Sequence, residues 1–253
     1  MQQRKTVNRR SILLGGAVVV VAGAAYGAAR PPFGLWPSLA ELNADYHTRT
    51  GEQQHITLAG DVAVSLNTQT SLAVLSTDDA HDRVELIGGE ASFILPAGVA
   101  RSFSVLAAGG KAITNGGKFD VRYTPGSGDA FVSVTCFDGH VRIEKDVNAA
   151  DLGPGERVRY GSSGLTQVAA VDPTIASEWQ RGIVEFRATP LAEAVEEINR
   201  YRPGRIILRN DALGRQPLSG RFRIDQMDMV LAQLEFAFSA RVQRWPGGFV
   251  VLS

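Results

Sequence analysis

The sequence predicts three parts in series: a single apolar helix able to cross a membrane, an all-β domain, and a small α+β domain. Three observations carry this reading. The run Ile12–Ala29 holds no charged residue. Between about residues 47 and 170, apolar and polar residues alternate with period two, broken by turn residues at short intervals. From 171 to 253, two stretches switch to the spacing of amphipathic helices.

The N-terminal run comes first. At about 1.5 Å per residue it makes a helix of roughly 27 Å, close to the hydrocarbon thickness of a bilayer. Arg4, Lys5, Arg9 and Arg10 precede it, so the basic tail 1–11 is expected to stay in the cytoplasm and the rest of the chain to lie outside. Two outcomes fit this pattern: a membrane anchor over 12–29, or a signal peptide cleaved near Ala25-Tyr26-Gly27. Asn8-Arg9-Arg10-Ser11 also resembles a weak twin-arginine export signal. Residues 30–46 read as a linker, in which Pro31, Pro32 and Pro37 stop the helix and Trp36 suits an interfacial position.

The all-β domain is expected over 47–170. Val62, Val64 and Leu66 share one strand face. Further strands are expected at 54–58, 71–75, 83–87, 91–95, 102–106, 111–114, 119–123, 130–137, 140–144 and 157–160. Gly88-Gly89, Gly109-Gly110, Gly116-Gly117, Asp138-Gly139 and Pro154-Gly155 mark turns, with Asp138-Gly139 as a hairpin. A sandwich or a β-helix-like stack both satisfy this spacing. Glu85, Glu90, Asp120 and Asp138 fall at strand ends and turns, where solvated edge positions are expected. Cys136, the one cysteine, lies in a strand-like stretch and reads as a small core residue.

The α+β domain is expected over 171–253, in the order β-α-β then β-α-β-β. Thr189-Pro190 reads as a helix start, followed by the apolar face Leu191, Ala194, Val195, Ile198 and Tyr201. Glu196 and Arg200 stand four apart in the favourable order for an ion pair. Asp225 suits the cap of a second helix with the face Met227, Val230, Leu231, Leu234 and Phe238.

Composition narrows function. Twenty-six basic and 26 acidic residues balance, and no basic cluster of nucleic-acid type follows the membrane run. His47, His55, His81 and His140 are scattered without metal-ligand spacing. No nucleophile elbow, zinc-helix motif, paired-cysteine motif or phosphate loop occurs, so neither an enzyme nor a cofactor is expected.

Many short motifs then fall in a recognisable order. They include Tyr46-His-Thr-Arg-Thr-Gly-Glu-Gln, Leu66-Asn67, Arg83-Val-Glu-Leu, Gly89-Glu90-Ala-Ser-Phe93 and Arg101-Ser-Phe-Ser-Val. Gly117-Lys-Phe119-Asp-Val, Leu152-Gly-Pro-Gly-Glu, Val171-Asp172-Pro, Trp179-Gln-Arg-Gly182, Asn199-Arg-Tyr201 and Ser219-Gly220-Arg-Phe222 follow. Together they resemble the FecR family, membrane-spanning regulators of iron-siderophore uptake. The C-terminal β-α-β-β-α-β-β order resembles the short N-terminal module of secretins and TonB-dependent receptors.

The resemblance implies an inner-membrane protein whose periplasmic part receives a signal from a TonB-dependent outer-membrane transducer. It implies a sigma factor of the extracytoplasmic-function class as cytoplasmic partner, acted on as an anti-sigma factor or an activator. Family members usually carry a sigma-binding domain before the membrane run, where this sequence has 1–11, so direct sigma contact is the open part of the expectation. Asn115-Gly116-Gly117 also departs from the family pattern of Leu-Gly-Thr before Phe119.

A partner strand added to a free sheet edge is the expected mode of contact. The candidate strands are Leu218, Ser219, Gly220, Arg221 and Phe222, or Phe249, Val250, Val251 and Leu252, each of which also reads as an interior strand. The alternative function is an exported periplasmic binding or structural protein, released by cleavage and without sigma contact.

Overall fold

The structure is a computed structural model and describes residues 39–77, 81–96, 102–125 and 130–253. The chain divides into two compact units, Met1–Ala44 and Asp45–Ser253. In the first, the described part is a one-turn helix, α1 (Leu39–Leu42). Arg4, Lys5, Arg9, Arg10 and the run 12–29 lie outside the described residues. Among the described residues no helix is long and apolar enough to cross a membrane.

The second unit opens with fourteen strands. They are β1 (Tyr46–His47), β2 (Gln54–Leu58), β3 (Val62–Leu66), β4 (Ser71–Thr77), β5 (His81–Leu95), β6 (Ser102–Ala107) and β7 (Gly110–Thr114). There follow β8 (Gly117–Thr124), β9 (Phe131–Gly139), β10 (Val141–Lys145), β11 (Asn148–Leu152), β12 (Glu156–Gly161), β13 (Gly164–Leu165) and β14 (Ala169–Ala170). They bond into one ladder with the order β11-β10-β7-β6-β5-β8-β9-β12-β13; β3 and β4 also pair with β5, and β2, β1 and β14 pair with β3, β4 and β12.

The ladder folds over on one core, giving the sandwich rather than the β-helix-like stack. Phe93 on β5 and Phe119 on β8 stack at 5.2 Å between ring centroids, and Phe103 on β6 meets Phe93 at 5.4 Å. Tyr160 on β12 donates its hydroxyl to the Ala107 carbonyl on β6 at 3.1 Å, tying the two layers together.

Strand β5 makes this fold-over possible. Two strands with a Gly88-Gly89 turn were expected; one 15-residue strand runs through both glycines. Before them it pairs with β4 and, in parallel, with β6; after them it pairs with β3 and β8. Gly89 has φ +93°, and a Cβ there would lie 2.4 Å from Thr70 Cα, so only glycine lets the strand bend against its neighbour.

Asp138-Gly139 is likewise a corner, not a hairpin. Strand β9 pairs with β8 and β12, whereas β10 pairs with β7 and β11. The chain changes layers between them.

The remaining elements enclose a second core. They are α2 (Pro173–Ser177), a 3-10 turn (Glu178–Arg181), β15 (Ile183–Pro190), α3 (Leu191–Tyr201), β16 (Ile206–Leu208), α4 (Asp211–Gly214) and β17 (Pro217–Arg223). A second 3-10 turn (Ile224–Met229), α5 (Val230–Phe238), β18 (Val242–Trp245) and β19 (Phe249–Leu252) complete it. The expected β-α-β-β-α-β-β order is present, with α4 added. The strands form two small sheets, β15-β17 and β16-β19-β18.

The helix faces fall where the spacing put them: Leu191, Ala194, Val195, Ile198 and Tyr201 are buried on α3, and Val230, Leu231 and Leu234 on α5. The starts differ. Thr189 stays in β15, and Pro190, without a side-chain cap, precedes α3. Asp225 is held by the Arg223 guanidinium at 2.7 and 3.0 Å, and α5 begins only after the 3-10 turn.

Candidate functional site

Period-two alternation buries one face of β3, β5, β8, β9 and β12 in the first core. The opposite face carries a polar row in register: Ser65, Ser92, Asp120, Thr135 and Arg157. Beside it runs a second row, Glu90, Arg122, Ser133 and Arg159. Part of this face is dry. Ser92 is 1% exposed, Thr135 3%, Asp120 5% and Glu90 9%. What covers it is the 178–181 turn and the C-terminal end of α3.

The contacts are specific. Trp179 donates its indole N–H to Asp120 Oδ2 at 3.1 Å. Gln180 Nε2 donates to Ser92 Oγ at 3.0 Å, and its Oε1 accepts from Lys118 Nζ at 2.9 Å. Arg200 Nη2 donates to Glu90 Oε2 at 2.9 Å and its Nη1 to Glu197 Oε1 at 2.7 Å. Arg122 Nη1 meets the other Glu197 oxygen at 2.8 Å. Gln53 Nε2 donates to the Trp179 carbonyl at 2.8 Å.

Environment sets the charges. Burial pushes the Asp120 carboxyl up to about 7, reinforced by nearby Glu90 and opposed by its hydrogen bonds. Burial also works to raise Glu197, but Arg200 and Arg122 overcome it and hold the carboxyl down at about 2. Burial raises the Tyr201 phenol, keeping it neutral.

The solvated-edge reading of Glu90 and Asp120 is therefore corrected: both lie inside a seam between the two cores. Arg200 does not turn to Glu196, which pairs with Arg205 at 3.0 Å; it turns inward to Glu90 and Glu197. The seam residues Asn67, Glu90, Asp120, Trp179, Gln180, Arg200 and Tyr201 all stand within the short motifs quoted from the sequence, the one local signal that singled them out.

Of the candidate partner strands, β19 (Phe249, Val250, Val251, Leu252) is the middle strand of its sheet, with β16 parallel on one side and β18 antiparallel on the other. It cannot accept a third strand. In contrast, β17 (Leu218, Ser219, Gly220, Arg221, Phe222) pairs with β15 alone among the described residues. Irregular pairing marks the β15 side, where Ala188 has φ +48° between Phe186 and Thr189.

Two cavities are small: about 170 Å³ beside Tyr46 and Phe103, and about 240 Å³ beside Thr50 and Arg202. Both fall below the roughly 300 Å³ at which small-molecule sites begin. Cys136 is buried, and burial pushes its thiol up to about 11, away from the reactive thiolate. Among the described residues no His, Cys, Asp and Glu cluster could hold a metal ion.

A family model described as FecR protein matches residues 44–142. Two crystal structures of a candidate anti-sigma factor from Parabacteroides distasonis ATCC 8503, at 1.65 and 2.50 Å resolution, share the fold. The first matches with a TM-score of 0.69 and 20% identity over 82% of this chain and 97% of that one. The second gives 0.68 and 20% over 82% and 96%. No curated protein matches. The likeness thus extends past the family match and takes in both cores.

Proposed function

From a chain whose residues 44–142 are those of a FecR-family protein, we propose a signalling module that regulates a sigma factor through protein–protein contact. One observation carries the reading: beyond the FecR match at 44–142, the fold shared with the two crystal structures extends to 82% of the chain, and a second core is fastened to the first by a buried polar seam. Packed side chains and hydrogen-bond networks of this kind are able to carry coupling between two parts of a molecule.

The finer reading places the Asp45–Ser253 unit in the periplasm, anchored in the bacterial inner membrane by 12–29. There it receives a TonB-dependent outer-membrane transducer that responds to an iron siderophore. The receiving element is the free edge of β17, to which a partner strand adds. It works by contact, with no chemistry of its own.

The test is co-purification of the full chain from membranes with the signalling domain of a TonB-dependent transducer and with a sigma factor from the same genome. Transcription from that sigma factor's promoter is followed in parallel, with and without the chain. Capture of either partner together with a changed promoter output supports the reading. No capture and an unchanged output would sink it.

A further inference from the structure

The seam holds one carboxyl group that no guanidinium pairs directly. Asp120 projects from β8 beneath the 178–181 turn, where Trp179, 6% exposed, closes over it. We propose that Asp120 and Trp179 form a latch between the two cores, and that a single proton on Asp120 controls it.

The surroundings explain why a proton matters. On its own strand, Lys118 is drawn to Gln180 Oε1 and Arg122 to Glu197. From β5, Glu90 faces the same space but is committed to Arg200 and Asn67. From β12, Arg157 gives its Nε to Thr135 Oγ1 at 2.7 Å. From the covering turn, Glu178 pairs with Arg181 at 3.1 Å and with Arg221. From α3, Glu197 and Arg200 satisfy one another. Each neighbouring cation thus has another partner in the seam.

Asp120 accepts at both oxygens, from the Trp179 indole at 3.1 Å and from Gln180 Nε2 at 3.5 Å, and a proton on the carboxyl makes the buried group neutral. In the ionised form the same hydrogen bonds favour the charge, but burial, with Glu90 facing it, works against it more strongly. Burial moves the carboxyl from its ordinary 3.8 up to about 7 while the seam is closed. Closure is therefore strongest below about pH 4 and weakens as pH rises to about 7. Proton binding is linked to closure, so each pH unit between about 4 and 7 weakens closure by at most about tenfold, and closure is level above about 7.

The experiment follows hydrogen exchange of the backbone amides at residues 180–182 in the full chain, corrected for base-catalysed intrinsic exchange. Protection is expected to be constant below about pH 4, to fall by up to about tenfold per unit between about pH 4 and 7, and to level off above that. Asp120→Asn, which keeps an acceptor for the indole but carries no charge, is expected to abolish that dependence. Trp179→Phe removes a donor that favours the ionised form, so the pH at which the fall levels off is expected to move higher. Protection independent of pH in the parent chain would overturn the proposal. So would an unchanged pH dependence in Asp120→Asn. Should that variant fail to fold, an unmoved levelling-off pH in Trp179→Phe overturns it.

Discussion

Asn67 and Tyr201, 134 positions apart in the chain, meet through a 2.8 Å hydrogen bond from the Asn67 amide to the phenol oxygen. The second amide hydrogen goes to Glu90 Oε2 at 2.8 Å, and the Asn67 side-chain oxygen accepts from Gln53 Nε2 and from the Thr68 amide. Every hydrogen-bonding position of this fully buried side chain is used. Asn67→Ala is expected to destabilise the chain by about 2–3 kcal/mol, since it leaves buried polar groups on both cores without partners. Asn67→Asp is expected to be worse, because it sets a carboxylate against Glu90. Urea unfolding of both variants beside the parent gives the order.

The bend of β5 makes a sharper prediction. Gly89→Ala places a Cβ 2.4 Å from both Thr70 Cα and Thr70 Oγ1, at a φ that L residues rarely adopt. A loss of at least about 3 kcal/mol is expected, with no compensating shift available from a backbone atom. Gly153→Ala is the control: its nearest neighbour would be a Glu156 side-chain oxygen at 3.6 Å, and its φ is not positive. Thermal unfolding should separate the two variants by many degrees.

What the sequence revealed follows a physical division. Period two and period 3.6 are local, so Val62, Val64 and Leu66 and the α3 face read correctly from spacing alone. Gly88-Gly89 and Asp138-Gly139 carry the same local signal as a tight turn. Only partner strands distant in sequence decide between a turn and a corner. Asp120 sits between Phe119 and Val121, and alternation assigns it to the face away from the core. Alternation is silent on whether that face meets water or a second core. The i, i+4 rule failed at Glu196 and Arg200 because it describes an isolated helix, whereas Glu90 lies within reach of Arg200 in the folded chain.

Acid should expose the other half of the seam. Glu197 is held at about 2 against its usual 4.5, so its ion pairs contribute stability that is full above about pH 4.5 and lost as pH falls toward 2. Asp120 has the opposite sign: raised from 3.8 to about 7, it contributes stability that is full below about pH 4 and lost as pH rises through 7. Stability is therefore expected to peak between about pH 4 and 5 from these two groups. Glu197→Gln should flatten the acid limb and lower stability at pH 7 by about 1–3 kcal/mol, leaving Arg122 and Arg200 short of a counter-charge. Asp120→Asn should flatten only the limb above the peak. Denaturant midpoints from pH 2 to 8 for the three chains check this.

Strands β17 and β19 should differ in exchange as they differ in position. Leu252 is fully buried on β19, which has a neighbour on each edge, so every backbone N–H of its interior points to another strand or to the chain beside it. All amides of Val250–Leu252 are expected to exchange slowly, and Leu252→Ala to cost about 2–5 kcal/mol. On β17 the amides facing β15 are expected to be slow and the alternate ones fast, because that edge has no strand beside it among the described residues. A partner that adds a strand at Leu218–Phe222 must slow the fast set and leave β19 unchanged. Protection of β19 alone, or of neither strand, on binding a partner would place the contact elsewhere on the molecule.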